Sequence, residues 1–153
     1  MRLARLEWIY KDYPIYYLTL VAHHRRPILA NQTVHEAFIT FAKRAVDHGV
    51  AVGRYTLMPD HMHLFAAFGQ ESISVSHWVK SLQNSLSKCL RTHGVPPPHF
   101  QKGFFDHVLR SEESHHSKWE YMRQNPVRAG LVQIAENWEF QGEMHPLDPE
   151  DGS

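Results

Sequence analysis

The segment His61-Met62-His63 carries two imidazoles at a spacing that suits one metal ion. The segment lies in a predicted strand, where side chains alternate between two faces, so His61 and His63 point to the same side about 6.6 Å apart. Two such imidazoles can bind one divalent metal, whereas Met62, Leu64 and Ala66 face a core on the other side. The chain has 13 histidines, so a pair at this spacing is also expected about once by chance. The pair alone is therefore a hypothesis.

The neighbours of this pair exclude several familiar metal sites. Metallo-hydrolases with extended histidine clusters place Asp and His directly after the pair, whereas Leu64 and Phe65 follow here. A nucleobase deaminase needs a His-x-Glu segment and a pair of cysteines, and a zinc ribbon also needs paired cysteines. Cys89 is the only cysteine of this chain, so these classes are excluded.

Tyr121 and Asn125 form a second candidate pair for chemistry. They are four residues apart near the end of a predicted helix, so they share a face. The amide oxygen of Asn125 suits a hard metal ion as a third ligand, and the hydroxyl of Tyr121 could attack phosphorus. The alternatives are core packing for Tyr121 and a helix-end role for Asn125, which precedes Pro126. The case for a site depends on the two pairs occurring together.

Charge is unevenly distributed along the 153 residues. All 16 Lys and Arg residues precede residue 136, whereas six of the 16 acids follow residue 135, so a body of net charge +6 precedes a segment of −6. A basic body can meet phosphates, although a solvated surface with an acidic end is the plainer alternative. We predict one domain over residues 1–142 and an acidic, disordered tail over 143–153.

The compartment is predicted from cysteine usage and from the apolar runs. A single cysteine excludes an internal disulfide and fits a reducing cytoplasm. No signal-peptide pattern follows Arg2 and Arg5, and the longest apolar run, residues 15–22, is too short to span a bilayer. We therefore expect a cytoplasmic protein without a membrane partner.

Apolar periodicity predicts the elements that position these residues. They are a strand over 15–22, a helix from a capping box at Thr33–Glu36 to Gly49, strands over 50–57 and 61–68, a helix over 72–93, a strand over 104–110 and a helix from Ser111 to about Asn125. The first six follow the β-α-β-β-α-β order. We predict an α+β fold: a ferredoxin-like antiparallel sheet with helices on one face, plus an additional C-terminal helix carrying Tyr121.

Four blocks of this sequence, in this order, resemble the REP-associated tyrosine transposases, which are bacterial relatives of the single-tyrosine HUH transposases of insertion sequences. The blocks are YLTL at 17–20 with RRPIL at 25–29, YTLMPDHMH at 55–63, FQKGFFDHVLR at 100–110 and YMRQNPVRAGLV at 121–132. The resemblance implies that His61 and His63 are the HUH metal ligands, Asn125 the third ligand and Tyr121 the nucleophile. It also implies Mg²⁺ or Mn²⁺ as cofactor and single-stranded or hairpin DNA as partner.

The expected chemistry is strand cleavage that leaves a 5′-phosphotyrosine and a free 3′-OH, so that strands can be rejoined. Two alternatives stay open: a catalytically inactive hairpin-DNA-binding protein of the same fold, and a metal-dependent hydrolase that uses water. The family's Gly-Thr-x-aromatic motif is missing, since residues 11–17 read KDYPIYY. The DNA sequence and the subgroup therefore stay open, and the REP-associated group favours a monomer over a homodimer.

Further residues receive supporting roles. Six cations are candidates for DNA phosphates: Arg123 and Arg128 beside the tyrosine, Lys80, Lys88 and Arg91 on one face of the long helix, and Lys102 after it. For the long-helix face, an ordinary solvated surface is an equal alternative. Asp106 and His107 are possible auxiliary groups for activating the tyrosine hydroxyl, or else structural hydrogen-bonding residues.

Overall fold

The computed structural model describes residues 13–109 and 112–147, and for residues 112–114 it describes the backbone alone. Its strands and α-helices are β1 (Ile15–Val21), α1 (Gln32–Ala45), β2 (Val50–Leu57), β3 (His61–Phe68), α2 (Val75–Thr92), β4 (Phe105–Leu109), α3 (Glu112–Arg123), α4 (Asn125–Arg128) and β5 (Gln141–Glu143). Short 3₁₀ turns lie at His23–Arg25, Val46–His48 and Ala135–Asn137.

The five strands form one sheet in the order β4-β1-β3-β2-β5, with every neighbouring pair antiparallel. The first four strands have the ferredoxin-like order, which confirms the predicted α+β fold. A bulge between Val52 and Tyr55 shifts the β2–β3 register. Such bulges bend and twist a strand locally.

The two faces of the sheet are covered by different helices. Leu18 and Leu20 of β1 and Met62 of β3 are fully buried with α1 and α2 in the main core, as the alternation of side chains predicts. On the other face, Tyr17 and Phe65 pack with Met122 of α3 in a second cluster. The helix that carries Tyr121 therefore lies across the sheet from α1 and α2.

The start of α1 differs from the prediction. Asn31 is the N-cap, and its side chain accepts a hydrogen bond of 3.0 Å from the amide of Val34. Thr33, the expected capping residue, lies inside the helix. Asparagine ranks above threonine as an N-cap, and at this position, two residues earlier, the Asn31 side chain also donates from its amide group to the Ile28 carbonyl.

The start of the predicted tail is also wrong. Gln141–Glu143 forms β5 and pairs with the free edge of β2, and the amides of Met144 and His145 donate to carbonyls of Gly53 and Val52. Residues 143–147 therefore belong to the sheet edge. The remainder of the predicted tail, residues 148–153, lies outside the described residues. Within the described ranges, no helix combines the length and apolar character needed to cross a membrane.

Candidate functional site

His61 and His63 lie side by side on the face of the sheet that α3 covers. They open β3, where His61 pairs with Val21 and His63 with Thr19 of β1. Their ring centroids are 4.8 Å apart and the ring planes are nearly perpendicular, at 75°. The strand alternation therefore brings the two imidazoles together as the sequence predicts.

Hydrogen bonds fix which nitrogen each ring offers. Nδ1 of His61 lies 2.8 Å from Oδ1 of Asp60, and Nδ1 of His63 lies 2.9 Å from Oγ1 of Thr19. An ionised carboxylate only accepts, so His61 donates from Nδ1, and in the neutral tautomer that this bond selects the lone pair is on Nε2. Because both Nδ1 atoms form hydrogen bonds, the Nε2 atoms are the ones available to a metal ion. A hydrogen bond at the second ring nitrogen is also what orients metal-ligating histidines in other proteins.

The Asp60 carboxylate is itself held in its charged form. Burial opposes ionisation, but hydrogen bonds from His61 and from Arg25 outweigh it and lower the pKa of the carboxyl. The Arg25 guanidinium donates to Oδ2 at 3.1 Å. A charged Asp60 keeps the His61 ring in one tautomer and one orientation.

His63 is buried and neutral. Burial is the main cause that lowers its pKa to about 3, and electrostatic interactions with His61, Arg128 and Lys118 lower it further. The ring stacks on Tyr17, with centroids 5.2 Å apart and planes inclined by 15°. A neutral imidazole at physiological pH is the form that binds a metal.

Asn125 reaches His61 from the helical end of the site. Gln124 links α3 to α4 with helical dihedrals, and Asn125 opens α4. Its amide lies 3.5 Å from Nε2 of His61. Since amide nitrogen and oxygen are assigned from their partners, rotation of this group would present Oδ1 at the same place. Two imidazoles and one amide oxygen are a donor set that suits a divalent metal.

This set is small. The described residues contain no group of three or more His, Cys, Asp and Glu side chains that could hold a metal ion. A metal in this site would therefore depend on the amide of Asn125 and on oxygens from its substrate or from water.

Tyr121 stands at the rim of the site with 58% of its surface exposed. The Arg128 guanidinium lies 3.9 Å from the centroid of its ring and donates a 2.6 Å hydrogen bond to its carbonyl oxygen. Tyr121 and Asn125 lie on consecutive turns of the helical path, as predicted. An exposed hydroxyl beside a guanidinium suits attack on an anionic group.

Tyr17 lies beneath this rim as a buried hydroxyl. Its oxygen has no hydrogen-bond partner within the part of the chain that the structure describes. Burial raises the pKa of this phenol strongly, and the neighbouring Tyr121 raises it further. The hydroxyl of Tyr17 therefore remains protonated and able to donate.

The cations predicted to bind DNA fall into separate groups. Lys80, Arg91 and Lys102 line one cleft of about 480 Å³ between α2 and residues 97–104, whereas Lys88 is not among its lining residues. Arg128 lies in the site itself. Arg123 donates to Glu120 at 3.2 Å and to Glu136 at 2.7 Å. These acids compete with DNA phosphates for its charge, so its role as a phosphate contact stays a prediction.

The two auxiliary residues lie on opposite faces of β4. His107 pairs with Tyr17, so it lies on the same face of the sheet as His61 and His63. Asp106 pairs with Leu18, whose side chain lies in the main core on the other face. Strand neighbours point to opposite sides, so this register directs Asp106 away from the face of Tyr17 and His63, and its auxiliary role stays a prediction.

Several residues of the site were missed by sequence reasoning. Lys118 lies one helical turn before Tyr121, with its ammonium 5.5 Å from the ring of Tyr17, and i,i+3 spacing could have found it. Asp60 directly precedes His61, and this adjacency is the sequence signal that could have found it. Thr19 lies 44 residues from His63, and no sequence signal joins them.

Comparisons with known proteins identify the family of the chain. The family model "Transposase IS200 like" matches residues 12–118. A Haemophilus influenzae protein, named as a candidate REP-associated tyrosine transposase, is 18% identical over 88% of this chain and 86% of its own length.

Two solved structures share the fold. One is a REP-associated tyrosine transposase bound to a REP hairpin, with a TM-score of 0.70, 19% identity and coverage of 88% of this chain and 84% of the other. The other is a Deinococcus radiodurans R1 protein described as a candidate transposase, with a TM-score of 0.52, 17% identity and coverage of 73% and 91%. The family match spans well over half of the chain, and the chain therefore belongs to the IS200-like transposase family.

Proposed function

We propose that this protein is a metal-dependent endonuclease and strand transferase that cuts and rejoins single-stranded DNA at hairpins. The observation that carries the proposal is the meeting of His61, His63 and Asn125 on the face of the sheet that is covered by the helix of the exposed Tyr121. Membership of a transposase family and the fold of a hairpin-bound relative support the same substrate class.

Nε2 of His61, Nε2 of His63 and the amide oxygen of Asn125 would hold Mg²⁺ or Mn²⁺. When bound, the metal would polarise a phosphate and offset charge that develops in the transition state. The neutral state of His63 and the Nδ1 hydrogen bonds of both rings fit this role.

Tyr121 is the proposed nucleophile. Its oxygen forms a bond to phosphorus as the bond from phosphorus to the 3′-oxygen breaks; the phenol loses a proton and the 3′-oxygen gains one. The products are a 5′-phosphotyrosine and a 3′-OH, and attack by a 3′-OH reverses the step and joins strands. Arg128 and Lys118 lie near enough to His63 to affect its charge, so they are placed to meet phosphate oxygens.

The hydroxyl of Tyr121 needs a proton acceptor, because a phenol with its ordinary pKa is mostly protonated at neutral pH. His107 is the candidate on the correct face of the sheet. Incoming DNA would reach the site over the cleft lined by Lys80, Arg91 and Lys102. We expect the protein to act as a monomer.

The test uses a hairpin oligonucleotide library labelled at the 3′ end, because a 5′-phosphotyrosine retains the strand on the 3′ side of the break. With Mn²⁺, a covalent adduct should form with the wild-type protein and disappear with Tyr121→Phe or with a chelator. Tyr16→Phe is the matched control: Tyr16 packs against Phe68 in the main core, on the other face of the sheet, so the adduct should persist.

Two outcomes would favour the alternatives. Hairpin binding without metal and without cleavage would indicate an inactive DNA-binding protein of this fold. Cleavage that survives Tyr121→Phe would indicate a hydrolase that uses water.

A further inference from the structure

Phe105 is the most exposed large hydrophobic side chain in the described ranges, with 60% of its surface accessible. Single exposed apolar residues are common and need no explanation by themselves. The position of Phe105 in the sheet makes this one different.

The register of the sheet places Phe105 on the face of the metal-site histidines. Phe105 opens β4 opposite Thr19, and Thr19 binds Nδ1 of His63. Side chains of paired residues share a face, so Phe105 and His63 lie two strands apart, about 10 Å. Leu109, on the same face at the other end of β4, is buried in the cluster with Met122 of α3. On this face of β4, the end at Leu109 is buried, whereas the end at Phe105 is exposed to solvent.

The chain that leads to Phe105 is basic. Residues 72–105 contain four cations and no acid. The cleft that Lys80, Arg91 and Lys102 line also includes Phe104, the residue directly before Phe105. Beyond Phe104 the chain enters β4 and turns its next side chain to the site. A strand whose phosphates follow these cations would bring its bases over the ring of Phe105.

We propose that Phe105 is a stacking platform for an unpaired nucleobase near the cleaved phosphate; this rests on the proposed function. An aromatic face accepts any base, and such stacking is worth about 1–3 kcal/mol per base in single-strand binding proteins. Bases within a duplex stack on each other, so the ring selects unpaired nucleotides beside the hairpin. Phe105 thereby contributes to the choice of single-stranded DNA, and it makes no covalent contact.

The test measures binding, with no cleavage, in a Tyr121→Phe background. The added change Phe105→Ala should weaken binding of a hairpin with single-stranded flanks about 5- to 100-fold, and Phe105→Trp should retain it. Ile73→Ala, which removes an exposed apolar side chain just before α2, is the matched control and should leave binding unchanged. Thermal unfolding of the Phe105 variants should match that of the parent, because the residue is exposed.

An abasic scan over about three nucleotides on each side of the cleaved bond locates the base. One abasic position should weaken binding to the parent and have no effect on the Phe105→Ala protein. Two results overturn the stacking role of Phe105 alone. One is an equal loss of affinity at every abasic position in both proteins, and the other is unchanged binding by Phe105→Ala. A parent that binds no single-stranded or hairpin DNA overturns the proposed function and this inference with it.

Discussion

His63 depends more on its surroundings than the other candidate ligand does. It is buried, stacked on Tyr17 and near two cationic side chains, and these surroundings keep it neutral. The same surroundings that keep the ring neutral make it costly to protonate. Acid should therefore act on this residue and on the stability of the fold together.

Acid should destabilise the metal-free protein through His63. Its pKa is about 3 in the folded state against an ordinary 6.5, so as pH falls the unfolded state takes up the proton first. Above pH 6.5 His63 is neutral in both the folded and the unfolded state, and the free energy of unfolding does not depend on it. As the pH falls from 6.5 toward about 3, the free energy of unfolding decreases by up to about 1.4 kcal/mol per pH unit. Urea denaturation in the presence of a chelator, across this window, measures it.

His63→Gln removes the titrating group and should flatten this part of the pH profile. His107→Gln, at an exposed position of β4, should leave it as in the wild-type protein. An unchanged acid slope in His63→Gln would show that other groups cause the loss.

The key residues of the site could be predicted unevenly from the sequence. The period of two in a strand placed His61 and His63 together, and the helical period placed Tyr121 with Asn125. The partners that hold the rings could not be predicted, because Thr19 meets His63 only through the pairing of distant strands.

At the level of elements, the apolar pattern of the sequence was sufficient to predict those strands whose side chains are buried. The hairpin strands Val50–Leu57 and His61–Phe68 begin and end where the sequence predicts. The polar β5 carries no such pattern, since it forms because the edge of β2 offers free backbone groups. The cap of α1 was missed for a different reason: Asn31 and Thr33 are both residue types that cap helices, and the sequence does not decide between them.

Gly49 joins α1 to β2 in a conformation that other residues resist. Its φ is +79°, and a Cβ there would lie 2.9 Å from the backbone Cα of Ser72. Gly49→Ala should therefore combine left-handed backbone strain with a backbone clash and cost about 2–4 kcal/mol of unfolding free energy. Denaturant titration of the two proteins measures the difference.

Gly94 is the matched control for this substitution. Its φ is +82°, and no heavy atom of the described chain lies within 4 Å of the added Cβ. Gly94→Ala should introduce only the left-handed backbone strain and lower the free energy of unfolding by about 1–2 kcal/mol. Equal losses at the two positions would mean that the segment around Ser72 moves aside without cost.

On the scale of the whole molecule, a net charge of zero hides a basic cleft. The sheet separates its functions by face: α1 and α2 seal the main core, whereas the other face presents the histidines, Tyr121 and Phe105. The cleft cations lie along α2 and the segment after it, beside the edge where residues 99–101 bond to the end of β1. The sequence alone showed the acid-free stretch, but only the fold shows that three of its four cations share one cleft.

Salt dependence of DNA binding tests whether that cleft carries phosphates. For single strands, the slope of log affinity against log salt is about −0.7 per neutralised phosphate, so replacing Lys80, Arg91 and Lys102 together by Ala should make it shallower by about 2. Lys43→Ala, at an exposed position of α1 outside the cleft, should leave the slope unchanged. If the triple variant binds more weakly with the original slope, the cleft affects binding through shape, and the DNA reaches Tyr121 by another path. A shallower slope with Tyr121-dependent cleavage intact would show that the cleft supplies affinity while the histidine face supplies the chemistry.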